Sequence, residues 1–438
     1  MQDFNIRNFG SIGDGKTNDA AAIQKAIDEC NEKGGGRVVV PAPNTYLSGS
    51  FVLKSNVELN IERGATIAAS SNPDDFVNWK GRQRVFIVGD KANNVSITGG
   101  GVIDGGGRHF IETALPYIYR MKKQRPFTII LTGCSNLTIK DIVLRDGALW
   151  TVRLSGCEDV VIHGIRILND LKIPNNDAID LDRCKNVRIS DCHIESGDDC
   201  ICLKACKETA EYGPCENITV TGCTLKSTSA ALIIGCEVRS TIRNVIFNSC
   251  IIRSSHRGLA VHLSEESDVE NIIFSNMIVE TRLFHEDWWG RAEPIYITAI
   301  PWTAENKIGH VRHVRFTNIL CRSENGAFIQ GWDKNLIDDV LLENVRIEID
   351  KWSKWPGGHH DIRPCPGQGL LEHSTSGFFI KNAQNITLRN CEVVWGENLP
   401  EYFRYAIESH NVDHLKIENF KGKSTHPDKY PLIYQNDV

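Results

Sequence analysis

No stretch of the 438 residues stays apolar for the roughly 20 positions that a membrane-spanning helix needs, so a helical membrane protein is not expected. Basic charge is not in excess either. The chain has 49 Lys and Arg against 55 Asp and Glu, a net charge of −6, whereas a nucleic-acid surface needs a basic stripe. The one notable basic knot, Lys122, Lys123 and Arg125, reads as a solvated loop. No Gly/Ser- or Pro-rich segment acts as a linker, which argues for a single elongated domain over 1–438. A charged leader with an apolar core is also lacking after Met1, so the expectation is a reduced, cytoplasmic protein, or a secreted one if the given start is a processed end. Fifteen cysteines fit a reduced home: the count is odd, and many recur at equivalent places as small apolar fillers. Cys200, Cys202 and Cys206 lack the paired spacing of common zinc sites, and packing is expected of them rather than metal.

What the chain does contain is a recurring phrase: Cys, any residue, Asn or Asp, then aliphatic residues alternating with polar ones. Cys134 to Ile139, Cys157 to Ile162, Cys184 to Ile189 and Cys215 to Val220 are four copies. Looser copies centre on Asn94, Asn244, Asn271, His313, Asp339, Asn385 and His414. Successive anchors from 136 to 271 lie 23, 27, 31, 27 and 27 residues apart, the length of one coil of three short strands. Alternation within each phrase is the period of a strand with one buried face. The predicted fold is therefore all-β, a right-handed parallel β-helix solenoid with repeating coils from about 94 to 417. A leucine-rich-repeat solenoid is the runner-up, but no Leu-x-x-Leu-x-Leu consensus occurs. Asn at the repeated corner is expected to accept unusual backbone angles and bond its stacked neighbour. Asn94, Asn136, Asn217 and Asn385 are also glycosylation sequons, read here as structural.

Residues 1–50 are expected to form an N-terminal cap and the first strands. Thr17 to Ala20 supply a capping residue for an α-helix with Ala21, Ala22, Ile23, Ala26 and Ile27 on one face, and Gly34 to Gly36 end it. Such a helix covers the open edge of a coil.

Three carboxylates stand out: Asp177 in Asn175-Asn176-Asp177, and the adjacent Asp198 and Asp199 after Gly197. Asp177 and Asp198 are 21 residues apart, about one coil, so a solenoid brings them to one face. Clustered like charges raise the proton affinity of one member, as a general acid beside a base requires. Turn capping would explain one such Asp, but three point to a site. Asp198 and Asp199 share that site only if the chain bends, which Gly197 permits.

These two motifs at this separation, with the opening Phe9-Gly10-Ser11-Ile12-Gly13-Asp14-Gly15, resemble glycoside hydrolase family 28, the polygalacturonases and their relatives, over nearly the whole chain. The resemblance implies an inverting mechanism in which Asp198 protonates the leaving oxygen while Asp177 and Asp199 hold and activate water. No cofactor or metal is expected, since Ca²⁺ takes about six to eight oxygen ligands and these motifs offer fewer. Inversion in general places acid and base about 6.5–9.5 Å apart. The chain departs from the family pattern at three positions: Ala230 stands where polygalacturonases carry His, and Ala260 and His262 where they carry the Arg and Lys that grip a uronate carboxylate. Loss of such cations is not conservative.

Inserts near 105–124, 281–305 and 351–378 interrupt the repeats with aromatic and charged residues, a setting in which a scaffold presents functional loops. Candidate sugar-binding residues are Trp289, Arg291, Glu293, Trp355, His359, His360, Asp361 and Arg363, joined by Lys204, Glu237, Arg257 and His262. So many charges are not expected in an apolar plug. The expected function is exo-acting hydrolysis of short oligosaccharides or glycosides, with no nucleic-acid or membrane partner and an open oligomeric state. A lyase or epimerase using Lys204 or Arg257 as base, and a non-catalytic carbohydrate-binding coil, are the alternatives.

Overall fold

The computed structural model describes residues 2–79 and 81–436. It divides into two compact units, Met1–Ile201 and Cys202–Val438.

In the first unit each coil contributes three short parallel strands. One face stacks Asp3–Asn5, Gly36–Val40, Val57–Ile61, Asn93–Thr98, Ser135–Lys140, Glu158–His163 and Lys185–Ser190. A second runs from Thr45–Ser48 to His193–Ser196, and a third from Phe51–Leu53 to Ile179–Asp182. The alternation seen in the sequence sets the register: Val38, Leu59, Ile97, Ile139, Ile162 and Ile189 follow one another in adjacent strands, and all are fully buried. Burying each such side chain contributes about 1.5–3 kcal/mol, and a slip of one residue would turn the whole rank outward.

The second unit repeats the scheme with longer strands. Cys215–Thr221, Ile242–Asn248, Val269–Thr281, Val311–Ser323, Ile337–Ile349 and Phe378–Arg389 stack in parallel, and Phe247, Phe274 and Phe316 lie ring on ring at 4.8 Å. Among the described residues no helix is long and apolar enough to cross a membrane.

The corner residues behave as expected. Asn94, Asn136, Asp159, Asn186, Asn217, Asn244, Asn271, His313, Asp339, Asn385 and His414 all have positive φ. Asn244 donates to Asn217 at 3.1 Å and Asn271 to Asn244 at 3.2 Å. A second ladder that the repeat phrase did not mark runs through Asn276, Asn318 and Asn344. No disulfide forms among the described residues, and fourteen of the fifteen cysteines are buried.

The helix Ala20–Glu32 buries Ala22, Ile23, Ala26, Ile27 and Cys30. Its cap differs from the usual arrangement. Asp19 makes no side-chain bond to the helix and instead accepts the amides of Ile12 and Gly13 at 2.6 and 3.0 Å, so it fastens the preceding loop.

Two inserts carry secondary structure too short to leave a periodic signal. Ile111–Ala114 pairs antiparallel with Tyr119–Met121, and His359–Asp361 with Leu370–Glu372.

Candidate active site

In the first unit, Thr151 donates its amide to the carbonyl of Asp177 at 2.7 Å, and Ala178 donates to the carbonyl of Asp199 at 2.8 Å. The segments holding Asp177 and Asp199 are therefore paired as adjacent rungs of one ladder. The strand His193–Ser196 ends just before Gly197, where the chain bends as the sequence required. A Cβ on Gly197 would lie 2.3 Å from the carbonyl oxygen of Ile173 and 2.8 Å from that of Asp170, so only glycine permits the crossing.

Asn176 ties the two motifs together. Its amide nitrogen donates to the Asp170 carbonyl at 3.0 Å, and its side-chain oxygen accepts the Asp198 amide at 3.1 Å. The Asp198 carboxylate accepts the amides of Asn175 and Asp199 at 2.9 and 3.1 Å.

One oxygen from each of Asp177, Asp198 and Asp199 lies within 4.8 Å of the others. This is the spacing of nearest oxygens, not of whole carboxyl groups, and it follows from strands of successive coils lying about 4.7 Å apart. Two oxygens at such a separation suit a single bridging water, which makes two hydrogen bonds of roughly 2.8 Å.

Arg125, read from sequence as part of a solvated loop, is instead a brace for this turn. It donates to the carbonyls of Ala148 and Pro174 at 2.9 and 2.6 Å and to the Asn175 side chain at 3.1 Å. Burial lowers its pKa to about 10 against the opposing pull of Asp177 and Asp198. An arginine in a basic, polar stretch carries no sequence signal for this role. Beside the turn, Arg108 of the first insert lies 3.6 Å from Asp170.

The second unit holds the other candidates, and most are more deeply buried than a ligand-binding role suggests. Arg257, Arg291, Glu293, His262, His360 and Asp361 are all buried. The guanidinium of Arg257 lies 3.6 Å over the Tyr296 ring, 3.4 Å from Glu293 and 3.3 Å from the Asp361 carbonyl. Asp361 also accepts the Gly290 amide at 2.7 Å. Burial works against the Asp361 charge, but Arg363 and Arg257 hold its pKa down to about 2. Arg257, Glu293, Asp361 and Arg363 pair with one another and fasten the inserts to the strand Arg257–Leu263. His360 is sandwiched by Phe328, Phe379 and His373 and is held neutral by burial. Burial, then Arg257, lowers the pKa of His262 to about 3, so it is a neutral interior ring.

Lys204 and Glu237 form an ion pair of 2.8 Å. Trp289 is exposed, Trp355 stands edge-on to His285, and His359 bonds the Gly357 carbonyl at 3.0 Å. Ala230 and Ala260, at two of the departures from the family pattern, lie in a buried apolar cluster with Tyr296, Phe328, Phe379 and Ile362 of the third insert.

Comparison with known proteins bears on the family and the fold. A probable polygalacturonase of Vitis vinifera is 32% identical over 263 residues, 54% of this chain and 52% of that protein. The chain thus spans about half the length of the curated relatives it matches. A hyperthermoactive exopolygalacturonase from Thermotoga maritima superposes with a TM-score of 0.68 at 23% identity, covering 80% of this chain and 87% of that one. The family 28 exopolygalacturonase of Yersinia enterocolitica gives 0.71 at 20% identity, covering 96% and 78%. These likenesses establish the right-handed parallel β-helix. Residues 30–282, which include all three aspartates, match the model of glycosyl hydrolases family 28, and the chain belongs to that family.

Proposed function

We propose that this protein is an inverting glycoside hydrolase acting from the chain end on short pectin-related oligosaccharides or glycosides. The observation that carries the reading is the aspartate trio, three carboxylates with oxygens within 4.8 Å, fixed by Asn176 and braced by Arg125. In this scheme Asp198 gives its proton to the leaving oxygen. Asp177 and Asp199 hold the water that attacks from the opposite side of the sugar carbon, one of them taking its proton. The polygalacturonase relatives support the substrate class, and the two exopolygalacturonases of like fold support attack at the chain end.

Polygalacturonate itself fits less well. At the positions of the family's uronate-gripping cations stand Ala260 and a neutral, buried His262. A lyase is disfavoured because its base candidates are spoken for: Lys204 is paired with Glu237, and Arg257 is held charged by Glu293 and Asp361 although burial opposes it. A panel of oligogalacturonides and neutral pectic fragments, followed by proton NMR during the first turnovers, tests the reading. The expected first product has the inverted anomeric configuration. A retained anomer overturns the mechanism, and an ultraviolet-absorbing unsaturated product overturns the reaction class.

A further inference from the structure

A second group of metal-ligating side chains lies in the second unit: His373, where the third insert returns to the coil, and Glu408 and His410 on the strand Ile407–Asp413. His373 Nε2 is 3.5 Å and His410 Nε2 is 2.9 Å from the same oxygen, Glu408 Oε1, and all three ligand atoms lie within 4.8 Å of one another. His373 Nδ1 sits 2.7 Å from the Ser374 carbonyl. A carbonyl only accepts, so in the neutral ring the proton is on Nδ1 and Nε2 turns a lone pair toward a carboxylate oxygen. Two acceptors facing each other are reconciled by a cation between them, either a proton on Nε2 or a metal ion. The other carboxylate oxygen, Oε2, is engaged by the Ser376 hydroxyl, which fixes the orientation of Glu408.

We propose that His373, Glu408 and His410 bind one divalent transition-metal ion, with Zn²⁺ the best match. Zinc bonds to nitrogen and oxygen of about 2.0–2.2 Å at tetrahedral angles place neighbouring ligand atoms roughly 3.3–3.5 Å apart. The observed spacings need only small side-chain rotations to meet that. Imidazole nitrogens exclude Ca²⁺ and Mg²⁺, which take oxygen ligands. The Ser374 carbonyl and Ser376 hydroxyl are the outer partners that orient metal ligands in general. Three protein ligands leave a fourth position for water. His373 and His410 keep 31% and 22% of their side-chain surface, which gives the ion a path in. Phe379, buried His360 and Tyr434 flank the rings, and exposed Lys381 pairs in register with His410 as the neighbouring cation. The ion would clamp the end of the third insert to the Ile407–Asp413 strand.

The test uses the full chain, stripped with chelator and dialysed. Calorimetric titration with ZnCl₂ should show one equivalent bound, and Co²⁺ should give the intense visible absorption of a four-coordinate site. His410→Ala and Glu408→Ala should each weaken binding by more than about 100-fold, beyond the usual effect of outer partners. The melting temperature of the parent should rise with Zn²⁺, and that rise should vanish in a milder His373→Gln variant whose metal-free circular dichroism matches the parent. Asp198→Asn should bind Zn²⁺ as the parent does. The proposal is overturned if no heat appears, if the His variants bind equally well, or if Asp198→Asn abolishes binding. It is also overturned if proton NMR shows His373 simply as an imidazolium paired with Glu408 and indifferent to Zn²⁺.

Discussion

Arg363 closes two hydrogen bonds of 2.8 Å on the Asp361 carboxylate, one from Nε to Oδ1 and one from Nη2 to Oδ2. The same arginine donates to the Trp288 carbonyl at 3.0 Å, so one side chain binds the second insert to the third. Breaking a buried pair leaves an uncompensated charge and costs about 3–5 kcal/mol. Arg257 and the Gly290 amide remain near Asp361, so Arg363→Ala should lie at the low end, about 3 kcal/mol by urea unfolding. The pH dependence has a definite sign. Asp361 titrates near 2 when folded, below its ordinary 3.8, so its contribution is fully present above about pH 4–5 and is lost as pH falls toward 2. The parent should lose roughly 2 kcal/mol over that window from this group, and the variant much less. Parallel pH profiles would remove Asp361 from the explanation.

The proposed acid gives the second prediction. Asp198→Asn keeps the shape but has no proton to transfer, a loss of about 10²–10⁴-fold in general acid catalysis. Glycosides with poor leaving groups should suffer most and activated aryl glycosides least. Equal, mild losses on both would count against Asp198.

Arg125 touches no reacting atom in the proposed scheme, so its effect should be on position. Arg125→Ala frees the Pro174–Asn175 turn, and kcat should fall roughly 10–100-fold with KM little changed, since a misplacement of about 1 Å is costly. Arg125→Lys should not restore the rate, because a single ammonium does not reproduce three hydrogen bonds to differently placed acceptors. Full activity in either variant would show the brace to be dispensable.

Chelation separates the two carboxylate-bearing sites. EDTA should leave the initial rate unchanged at a temperature well below melting, because in the proposed scheme the aspartates activate water without an ion. It should lower the melting temperature if His373, Glu408 and His410 hold metal. Restoration of lost activity by Ca²⁺ would favour the lyase instead.

Substrate preference can be read by viscosity. The chain should cleave polygalacturonate weakly, with little fall in viscosity for each reducing end released, and Trp289→Ala should raise KM for the preferred oligosaccharide. A rapid drop in viscosity with few ends released would mean endo attack and an open groove.

The coils were legible because strand alternation and a corner Asn each impose a local pattern, repeated until chance is excluded. Asp177, Asp198 and Asp199 were legible because one coil length separates the motifs, and the role of Gly197 followed from strand geometry. Arg125 was not, since its partners at 148, 174 and 175 meet it only after the coil closes. The same holds for Arg257, whose partner Asp361 lies 104 residues away in an insert with no period to read. Sequence alone does not show that Arg257, Glu293, Asp361 and Arg363 pair with one another across two inserts. The pairing of Glu408 with His373 likewise depends on where the third insert returns.

The asparagine ladders are polar in a vectorial sense. Asn94 donates to Asn56, Asn271 to Asn244, Asn244 to Asn217, Asn344 to Asn318 and Asn318 to Asn276, so each amide hydrogen points back toward the preceding coil. An interior rung must both give and receive, which Asn does and Asp cannot. Asp159, which accepts from Asn186, can serve only as a terminus of such a row. Spontaneous deamidation at Asn244 or Asn318 would replace a donor with a charged acceptor facing another oxygen, and one altered atom would cut the row in two. An aspartate at either position should therefore lower the cooperativity of unfolding, because each coil is coupled only to its neighbours.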